Sequence, residues 1–277
     1  MNTQRAVPVL MYHHVTPAGG AINATPENFE SQLQWLKANG YRSLTSDQFA
    51  AHLNGEAAPA KSVLITFDDG YLDNYLYAWP LLKKYGFTAM IFLVTSWNQD
   101  GPARPLQGAD KPDAPDHATC MQRVAQGDFD DVALRWSEIG RMLEGGVCEF
   151  HSHTHTHTRW DKTDAVNKNA HMVIELSDSR ATLQTRLGQV SDHLCWPQGY
   201  FDVDYQRIAV DAGFKYLYTT HAFGMNQPGA DPEHIYRFAV RNTHGASVGR
   251  RVMIAGNPVV GPLFNRWKLW KRARRQV

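Results

Sequence analysis

Short apolar runs alternate along the chain with longer segments in which apolar residues stand three or four positions apart. The short runs are typical of β-strands, and the longer segments are typical of helices with one buried face. The predicted strands are VPVLMYHHV, SVLITFDDG, FTAMIFLVT, VCEFHSHT, HLCWPQG, FKYLYTT and IYRFAV. The predicted helices are TPENFESQLQWLKANG, TSDQFAAHLNG, DNYLYAWPLLKKYG, RWSEIGRMLEGG, VDYQRIAVDAG and one within residues 163–187. This alternation predicts an α/β fold, with a closed or partly closed β/α barrel as the first interpretation and an open doubly wound sheet as the second.

Capping residues mark the ends of several predicted helices. Thr25 is the predicted N-cap of the first helix, with Pro26 in the first helical position and Gly40 after its end. This order follows the general preference for a hydroxyl cap, proline at the start and glycine at the stop. Gly86 is the predicted end of the helix in DNYLYAWPLLKKYG, and Ser137 is the predicted cap of the helix in RWSEIGRMLEGG.

Residues 97–131 interrupt the alternation of strands and helices. They are rich in Pro, Gly, Ala and Asp and have almost no apolar period. A connection of this length is too long to be routine, so we expect either a lid over a functional site or a disordered insert. The predicted organisation is therefore a single main domain over residues 1–255, which contains this insert, and a C-terminal tail over residues 256–277.

Composition and cysteine content indicate an ordinary globular protein. The chain has 277 residues, of which 43% are hydrophobic and 20% are charged. Its three widely spaced cysteines fit a reducing compartment. The opening MNTQRAVPVLMYHHV lacks the features of a secretion signal, and the longest apolar run, AMIFLV, is far shorter than the ~20 residues that span a bilayer. We therefore expect a cytoplasmic protein.

Charge is distributed unevenly although the formal net charge is only +1. After Glu233 the chain contains ten basic residues and no acidic one. The final GPLFNRWKLWKRARRQV mixes aromatic and basic residues, and on a helix Leu263, Trp267 and Trp270 would share one face. Such a helix is typical of attachment to an anionic membrane surface, here the inner membrane. Docking of the tail on its own domain is the alternative, and nucleic-acid binding is less favoured.

Polar side chains follow the ends of four predicted strands. His13 and His14 follow VLMY, Asp68 and Asp69 follow LITF, a histidine tract follows VCEF, and Pro197-Gln198-Gly199 follow HLCW. The carboxyl ends of parallel strands meet at one edge of a sheet, so these groups are expected to lie close together. The alternative interpretation of TFDDG is a turn in which an aspartate caps the next helix.

The histidine tract offers metal ligands in two registers. On a straight strand, His151, His153, His155 and His157 would point to one face. If the chain turns after His153, residues four apart converge, which pairs His153 with His157 or His151 with His155. A catalytic zinc site often combines two histidines with one carboxylate. An unstructured histidine-rich tract is the alternative, and spacing alone leaves the register open.

TFDDG, SHTHTH and the proline element after HLCW resemble the motifs of the polysaccharide deacetylase family, carbohydrate esterase family four. The opening VPVLMYHHV, the segment DNYLYAWPLLKKYGFTAMIFLV and WPQGYF resemble the subgroup that deacetylates poly-N-acetylglucosamine. The resemblance covers most of the chain. It implies a distorted (β/α)7 barrel and the metal-dependent hydrolysis of the N-acetyl group of an N-acetylhexosamine in a glycan.

The resemblance also implies a role for each candidate residue. Asp68 corresponds to the general base, and Asp69, His153 and His157 correspond to the ligands of a divalent metal. Zinc is the expected ion, with cobalt, nickel and manganese as alternatives, because histidine and carboxylate ligands suit all four. His13, in an early Tyr-His element, corresponds to a residue that lines the site, and it is a candidate to protonate the leaving amine.

Two departures from the family pattern affect the fourth strand end. Cys195 stands where many members have an arginine that orients the base, and Gln198 replaces a tyrosine. The backbone N–H of Gln198 is expected to face the oxyanion, because that contact does not need the side chain. Trp196 and Tyr200 are candidates to stack on a sugar ring, and the alternative for Trp196 is a place in the core beside Pro197.

The general acid and the substrate are less constrained by the sequence. The late Leu-x-His element of the family is not evident, so His221 and His244 are further candidate acids, whereas His14 is expected to be structural. The proposed substrate is a lipid-linked glycan or lipopolysaccharide-core precursor. The alternatives are a metal-dependent amidase of the same fold that acts on a non-sugar amide and a non-catalytic glycan-binding relative.

Overall fold

The centre of the molecule is a curled parallel β-sheet. In the computed structural model, which describes residues 5–18, 20 and 22–274, the strands are Val9–Tyr12 (β1), His14–Val15 (β2), Asn23–Ala24 (β3), Arg42–Ser43 (β4), Ser62–Phe67 (β5), Ala89–Leu93 (β6), Cys148–Ser152 (β7), His193–Cys195 (β8), Tyr216–Tyr218 (β9) and Phe238–Ala239 (β10). Seven of them pair in the order β10-β1-β5-β6-β7-β8-β9, β4 pairs with β5, and all of these pairs are parallel. Strands β2 and β3 form a separate parallel pair.

The two edges of this sheet approach each other, so that the sheet forms a distorted barrel. The N–H of Ile235 donates a hydrogen bond to the carbonyl of Leu217 at 2.9 Å, and the N–H of Thr219 donates to the carbonyl of Ile235 at 3.0 Å. The chain then enters β10, which pairs with β1. The predicted (β/α)7 barrel is confirmed, and the alternative of an open doubly wound sheet is wrong.

Helices follow most of the strands. They are Pro26–Ala38 (α1), Ser46–Leu53 (α2), Trp79–Tyr85 (α3), His117–Gln126 (α4), Trp136–Glu144 (α5), Trp160–Thr163 (α6), Lys168–Leu187 (α7), Val203–Asp211 (α8), Gly245–Gly256 (α9) and Val260–Ala273 (α10). A π-helical turn, Asn74–Ala78, leads into α3. Pro80 has no N–H to donate into the preceding turn, which accounts for a bulge at this point.

In β1, β5 and β6, successive residues contribute to two different apolar clusters. One set packs against the helices, as Ile65, Ile91 and Phe150 do. The alternate set, which includes Leu64 and Phe92, fills the interior of the barrel. This arrangement follows from the two-residue period of a β-strand. It leaves both faces of the sheet covered, which explains why the strands read as nearly continuous apolar runs.

The predicted helix caps are confirmed with one exception. The side chain of Thr25 accepts a hydrogen bond from the N–H of Asn28 at 3.3 Å, and Gly86 ends α3 with a φ of +72°. Ser137 is not a cap, because α5 begins at Trp136. The carboxylate of Glu138 accepts the N–H of Arg135 at 2.9 Å instead, which places the start of the helix earlier than the hydroxyl.

The segment 97–131 contains α4 and is tied to the barrel by polar contacts. The guanidinium of Arg104 donates two hydrogen bonds to the buried carboxylate of Glu138 on α5, both at 2.7 Å. The hydroxyl of Thr16 donates to the carbonyl of Ala114 at 2.7 Å. The role of this segment as a lid stays a prediction.

The C-terminal tail forms a helix, α10, over its described part, and the prediction at Arg275 to Val277 lies outside the described residues. Asn265 and Gly261 face the domain, and the amide of Asn265 donates to the carbonyl of Gly224 at 3.2 Å. None of the described helices is both long enough and apolar enough to cross a bilayer.

Candidate active site

The carboxyl ends of β5 and β7 bring one carboxylate and two imidazoles together. Asp69 Oδ1 lies 3.2 Å from His153 Nε2 and 3.4 Å from His157 Nε2. The strand ends at Ser152 and the chain turns, so residues four apart converge. His155 Nδ1 instead shares a hydrogen bond with the hydroxyl of Thr95 at 2.9 Å.

His151 lies on the interior face of the barrel and takes no part in this cluster. Its Nδ1 is 2.6 Å from the hydroxyl of Ser191, and its ring contacts that of His193. Burial lowers the pKa of His151 well below its ordinary value, so the ring is neutral. Of the two registers that the spacing leaves open, the geometry therefore joins only His153 and His157 to Asp69.

The backbone at these strand ends adopts a conformation that non-glycine residues seldom take. The φ angles are +73° at Asp69, +66° at Thr154, +63° at His157 and +54° at Gln198. Among the described residues only Lys61 shares this property with them outside glycine. Left-handed backbone of this kind costs about 1 to 3 kcal/mol at each residue and persists where the surrounding structure enforces it. The strain is concentrated where the candidate functional groups are presented.

A carboxylate on α7 holds the turn that carries His157. Glu175 accepts hydrogen bonds from the N–H of His155 at 2.9 Å and the N–H of Thr156 at 2.8 Å. It also accepts the hydroxyl of Thr156 and the indole N–H of Trp160. The side chain is 4% exposed, so the contacts form in a nearly water-free environment where they are strong;.

The surroundings of Asp69 fit a bound cation. Its Oδ1 is buried and receives no aligned hydrogen bond, although two imidazole nitrogens lie nearby. Burial alone would raise the pKa of Asp69, but the proximity of His153 and His157 holds it far below its usual range, so the group is ionised. A buried anionic oxygen without a donor is costly unless a cation satisfies it.

Both imidazoles direct a ring nitrogen at the place of such a cation. Burial alone would lower the pKa of His153, but its contacts with Cys195 and Asp69 hold it well above its ordinary value, so a cation would replace a proton on this ring. Nδ1 of His153 lies 2.8 Å from the carbonyl of Cys195 and must donate to it, which directs Nε2 towards Asp69. Burial lowers the pKa of His157 to about 4, so this ring is neutral at physiological pH. One ligand atom from each of Asp69, His153 and His157 lies within 4.8 Å of the others. Two histidines and one carboxylate suit a catalytic divalent metal.

Asp68 is held by an arginine from the other end of the chain. Arg237 Nη1 donates to Asp68 Oδ1 at 2.6 Å, and Arg237 Nη2 donates to Asp68 Oδ2 at 2.8 Å. Burial would raise the pKa of Asp68, but the guanidinium keeps it below its ordinary value. Arg237 is itself 1% exposed and donates to the carbonyl of Thr219 and the hydroxyl of Thr66. Asp68 is therefore an oriented, ionised carboxylate beside the candidate metal ligands.

The position that the family fills with arginine is occupied by a neutral thiol. Cys195 Sγ lies 3.0 Å from Arg237 Nη2 and 3.6 Å from Asp68 Oδ2. Burial raises the pKa of this thiol, so it stays protonated. The guanidinium of Arg237, from the residue before β10, thus contacts both Cys195 and Asp68.

His13 lies on the open side of Asp68. Its Nε2 is 3.9 Å from Asp68 Oδ2, and its side chain is 22% exposed. Burial lowers the pKa of His13 even though the charges of Asp68 and Asp69 oppose this effect. His13 is thus placed to contact both the carboxylate and a ligand that enters from solvent.

The structure corrects one of the residues expected to bind a sugar. Trp196 is completely buried, and its indole ring stacks on Phe201 and Tyr205 in an apolar cluster. It therefore supports the wall of the site and has no free ring face. Gln198 is exposed, and Tyr200 is half-buried with the guanidinium of Arg159 4.3 Å from the centre of its ring.

The two other histidines considered as acids do not join the site. His221 Nδ1 lies 2.8 Å from His234 Nε2, in a group with Phe201. His244 is exposed at the start of α9. Of the three candidates, the structure brings only His13 next to Asp68.

The sequence interpretation missed Arg237 and Glu175. Arg237 stands inside the apolar run IYRFAV, and a lone arginine in a predicted buried strand is a usable signal because it needs an acidic partner. Glu175 stands in the apolar run MVIEL and shares the buried face of α7 with Met172, Leu176 and Leu183, so a carboxylate among apolar residues was a usable signal here too;.

A curled parallel sheet with a carboxylate pair and two histidines at its carboxyl edge defines a β/α-barrel hydrolase centre of the metal-dependent type. The chain belongs to the polysaccharide deacetylase family, whose model matches residues 55–217, more than half of the sequence. The predicted family is thereby confirmed, and with it the enzyme class, a hydrolase of carbohydrate amide bonds.

Known proteins extend this similarity to both sequence and fold. The poly-beta-1,6-N-acetyl-D-glucosamine N-deacetylase of Staphylococcus epidermidis is 26% identical over 227 residues, which make up 79% of this chain and 68% of that protein. YxkH of Bacillus subtilis is 45% identical over 89 residues, so the match spans only 32% of its length. The structure of IcaB from Ammonifex degensii superimposes with a TM-score of 0.72 at 24% identity, over 90% of this chain and 98% of IcaB. At this identity the last comparison establishes the fold.

Proposed function

We propose that the protein hydrolyses the N-acetyl group of an N-acetylhexosamine in a glycan. One observation carries the proposal: an ionised Asp68, clamped by Arg237, lies beside the buried set of Asp69, His153 and His157. A metal-ligand set alone would suit a binding protein, whereas an adjacent oriented base suits hydrolysis. The name of the S. epidermidis relative, a deacetylase of an N-acetylglucosamine polymer, supports the substrate class.

Each side chain has a defined part in the proposed reaction. Asp69, His153 and His157 would hold a divalent cation, with zinc as the first choice and cobalt, nickel and manganese as alternatives. When bound, such an ion activates water and polarises the acetyl carbonyl. Asp68 takes the proton of the attacking water, and Arg237 fixes both oxygens of this base throughout.

The remaining steps concern the carbonyl oxygen and the amine. As the bond from the water oxygen to the carbonyl carbon forms, the N–H of Gln198 stabilises the negative charge on the carbonyl oxygen. The C–N bond then breaks, and the proton taken up by Asp68 passes to the leaving nitrogen through His13, whose Nε2 lies 3.9 Å from Asp68 Oδ2;. The products are acetate and a free amino sugar.

Metal content and acetate release, measured together, test this function. Wild type and Asp68→Asn are compared on an N-acetylglucosamine oligosaccharide and on an N-acetylglucosaminyl glycolipid. We expect metal in both proteins and a loss of about 10²- to 10⁴-fold in acetate release for Asp68→Asn. Undiminished release by Asp68→Asn would refute its role as base. Metal in both proteins with no acetate from either would favour a non-sugar amide substrate or a glycan-binding role.

We further propose that the glycan is lipid-linked, for example a lipopolysaccharide-core precursor, and that α10 rests on an anionic membrane at the cytoplasmic face. Leu263, Trp267 and Trp270 lie within about 60° on the helix and are 63%, 48% and 52% exposed;. Asn265 and Gly261 occupy the opposite, domain-facing side. After α10 has docked on the domain, this apolar stripe therefore remains exposed. Its exposure favours a partner other than the domain itself.

The positive charges on α10 favour an anionic partner. The guanidinium of Arg274 lies 4.0 Å from the centre of the Trp270 ring, and Lys271 Nζ lies 5.3 Å from that of Trp267. Indole rings flanked by cations suit the headgroup region of an anionic bilayer, where the rings enter the interface and the cations meet phosphate. Deletion of residues 263–277 should reduce activity on the lipid-linked glycan and spare activity on the soluble one. An equal effect on both would refute the membrane role.

A further inference from the structure

A second group of polar residues, outside the metal ligands and Asp68, links the barrel to the segment 97–131. His14 Nδ1 lies 2.6 Å from Asp73 Oδ2, and His14 Nε2 lies 3.1 Å from His117 Nδ1. His14 is completely buried and Asp73 is 2% exposed, whereas His117 is half-buried at the start of α4. The three residues form a chain of hydrogen bonds that runs from the core towards the surface.

The buried end of this chain has a fixed polarity. Asp73 Oδ1 accepts the N–H of Val15 and the amide of Asn74, both at 2.9 Å. Oδ2 is thereby left for His14, and a carboxylate acceptor requires a hydrogen on His14 Nδ1. In neutral His14 the other nitrogen, Nε2, then carries a lone pair.

This polarity passes on to His117. In that neutral tautomer of His14, Nε2 accepts and His117 Nδ1 is the donor of the 3.1 Å hydrogen bond;. Burial lowers the pKa of His117, so its ring is neutral and its own Nε2 carries a lone pair. Within the described part of the chain, no hydrogen bond reaches His117 Nε2. The series of hydrogen bonds thus holds the His117 ring through Nδ1 and leaves its Nε2 as an available acceptor.

Aromatic contacts place this imidazole beside the metal ligands. The ring of Tyr71, two residues after Asp69, stacks on His14 at 4.0 Å and meets His117 edge-on at 6.2 Å. Tyr71 also lies 6.1 Å from Trp97, which in turn lies 5.7 Å from His157. Tyr71, Trp97 and His117 therefore form one wall next to the ligands, and two of the three come from the segment 97–131.

A purely structural histidine would account for only part of this arrangement. One hydrogen bond to His14 would suffice to dock α4, and Asp116 already caps that helix by accepting the N–H of Thr119 at 2.8 Å. Docking does not explain why the buried pair of Asp73 and His14 sets the tautomer of the half-exposed His117 ring. Such a pair is the usual means of orienting an imidazole for contact with a ligand.

We propose that His117 is a substrate-binding residue whose Nε2 accepts a hydrogen bond from a hydroxyl group of the sugar, with His14 and Asp73 as positioning residues. The inference rests on the proposed function, because the sugar must be the group that is deacetylated or its neighbour. It gives the segment 97–131 a direct part in recognition: the segment brings one specific acceptor to the cleft. No covalent step is assigned to His117.

Two substitutions separate contact with substrate from support of the fold. The amide of His117→Asn occupies the place of Nδ1 and keeps the bond to His14, but it has nothing at the place of Nε2. The amide of His117→Gln reaches the place of Nε2 and retains an acceptor there. We expect His117→Asn to raise KM about tenfold with kcat within about threefold of wild type, because one hydrogen bond to the sugar is lost. We expect His117→Gln to restore most of the affinity.

Acetate release on the glycan, metal content and circular dichroism are measured for wild type and both variants. The opposite order, with Asn close to wild type and Gln impaired, would overturn the proposal because it marks the bond to His14 as the only one that matters. Unchanged KM in both variants, or loss of metal from His117→Asn, would also overturn it. An inactive wild type would instead refute the proposed function, so the two failures are distinguishable.

Discussion

Arg237 donates parallel hydrogen bonds to both oxygens of Asp68, at 2.6 and 2.8 Å, across 169 positions of sequence. The pair is buried, and neither partner could be removed without leaving the other charge uncompensated;. The guanidinium also meets Cys195, the residue at the family's arginine position. The guanidinium that orients the candidate base in this protein therefore comes from the residue that precedes β10.

Replacement of Arg237 should move the acid limb of activity to higher pH. In the wild type burial alone would raise the pKa of Asp68, but the guanidinium holds it below its ordinary value, so the base stays ionised to a lower pH than a free aspartate does;. Without the guanidinium, burial acts alone and raises that pKa. We expect the midpoint of the acid limb of the kcat/KM profile to shift to higher pH by about 1 to 3 units in Arg237→Met. The shift should be smaller in Arg237→Lys, which keeps the charge.

The exposed Arg241 provides the control for this measurement. Arg241→Met should leave the pH profile unchanged, and metal content should be equal in all four proteins. A profile for Arg237→Met that coincides with that of the wild type would show that Asp68 is not the group that titrates in the acid limb.

Glu175→Gln should weaken metal binding without removing a ligand. The carboxylate accepts four donors around the turn before His157, and an amide cannot accept all of them. We expect the dissociation constant for zinc to rise about 10- to 100-fold, the range seen when residues that orient metal ligands are lost. Competition with a chelating dye measures it. Asp178→Asn, on the exposed side of the same helix, is the matched control. An equal rise of the dissociation constant in both variants would refute the role of Glu175 in holding the turn before His157.

Two glycines with nearly equal φ angles separate backbone strain from steric overlap. Gly70 has a φ of +68° and Gly146 a φ of +70°, but only Gly70 is crowded: a Cβ there would lie 2.6 Å from Leu93 Cδ2. Gly146→Ala should lower the free energy of unfolding by about 1 kcal/mol through strain alone. Gly70→Ala should cost about 1 to 3 kcal/mol more because of overlap beside Asp69. Urea titrations of both variants test this, and equal losses would contradict it.

The double variant Trp267→Ser and Trp270→Ser should bind anionic vesicles at least about tenfold more weakly than wild type, because two large apolar contacts are lost. Binding of the wild type should also weaken as salt is raised, since the adjacent cations are screened. Co-sedimentation with phosphatidylglycerol vesicles measures both effects. Val166→Ser, at a position that is 93% exposed outside α10, is the control. Equal binding of the wild type and the double variant to the vesicles would exclude α10 as the membrane contact.

Much of the fold follows from local patterns, because each strand and helix carries its own signal. The apolar period placed the sheet strands and their helices, and Thr25 and Gly86 marked helix ends correctly. Ser137 failed as a cap because Glu138 satisfies the N–H of Arg135. A cap depends on which of two neighbouring polar groups reaches the free N–H, and local sequence does not decide that.

Contacts between distant segments account for what the sequence interpretation missed. Nothing near Asp68 in the sequence points to Arg237, and the pair meets only because the barrel closes between β9 and β1. Trp196 was expected to stack on a sugar ring, but the burial of a ring depends on residues from α8 such as Tyr205. The histidine register likewise needed the turn after Ser152, which strand periodicity does not predict.

The order in which the site's residues occur along the chain has a consequence for synthesis. The candidate metal ligands and Asp68 all precede residue 158, whereas Arg237 enters with β10, the strand that pairs with β1. A growing chain that has left the ribosome only as far as Tyr218 possesses every ligand but not the guanidinium. Until the segment with Arg237 docks, Asp68 lacks the partner that orients both of its oxygens. The oriented base is therefore complete only when the last strand of the sheet is in place.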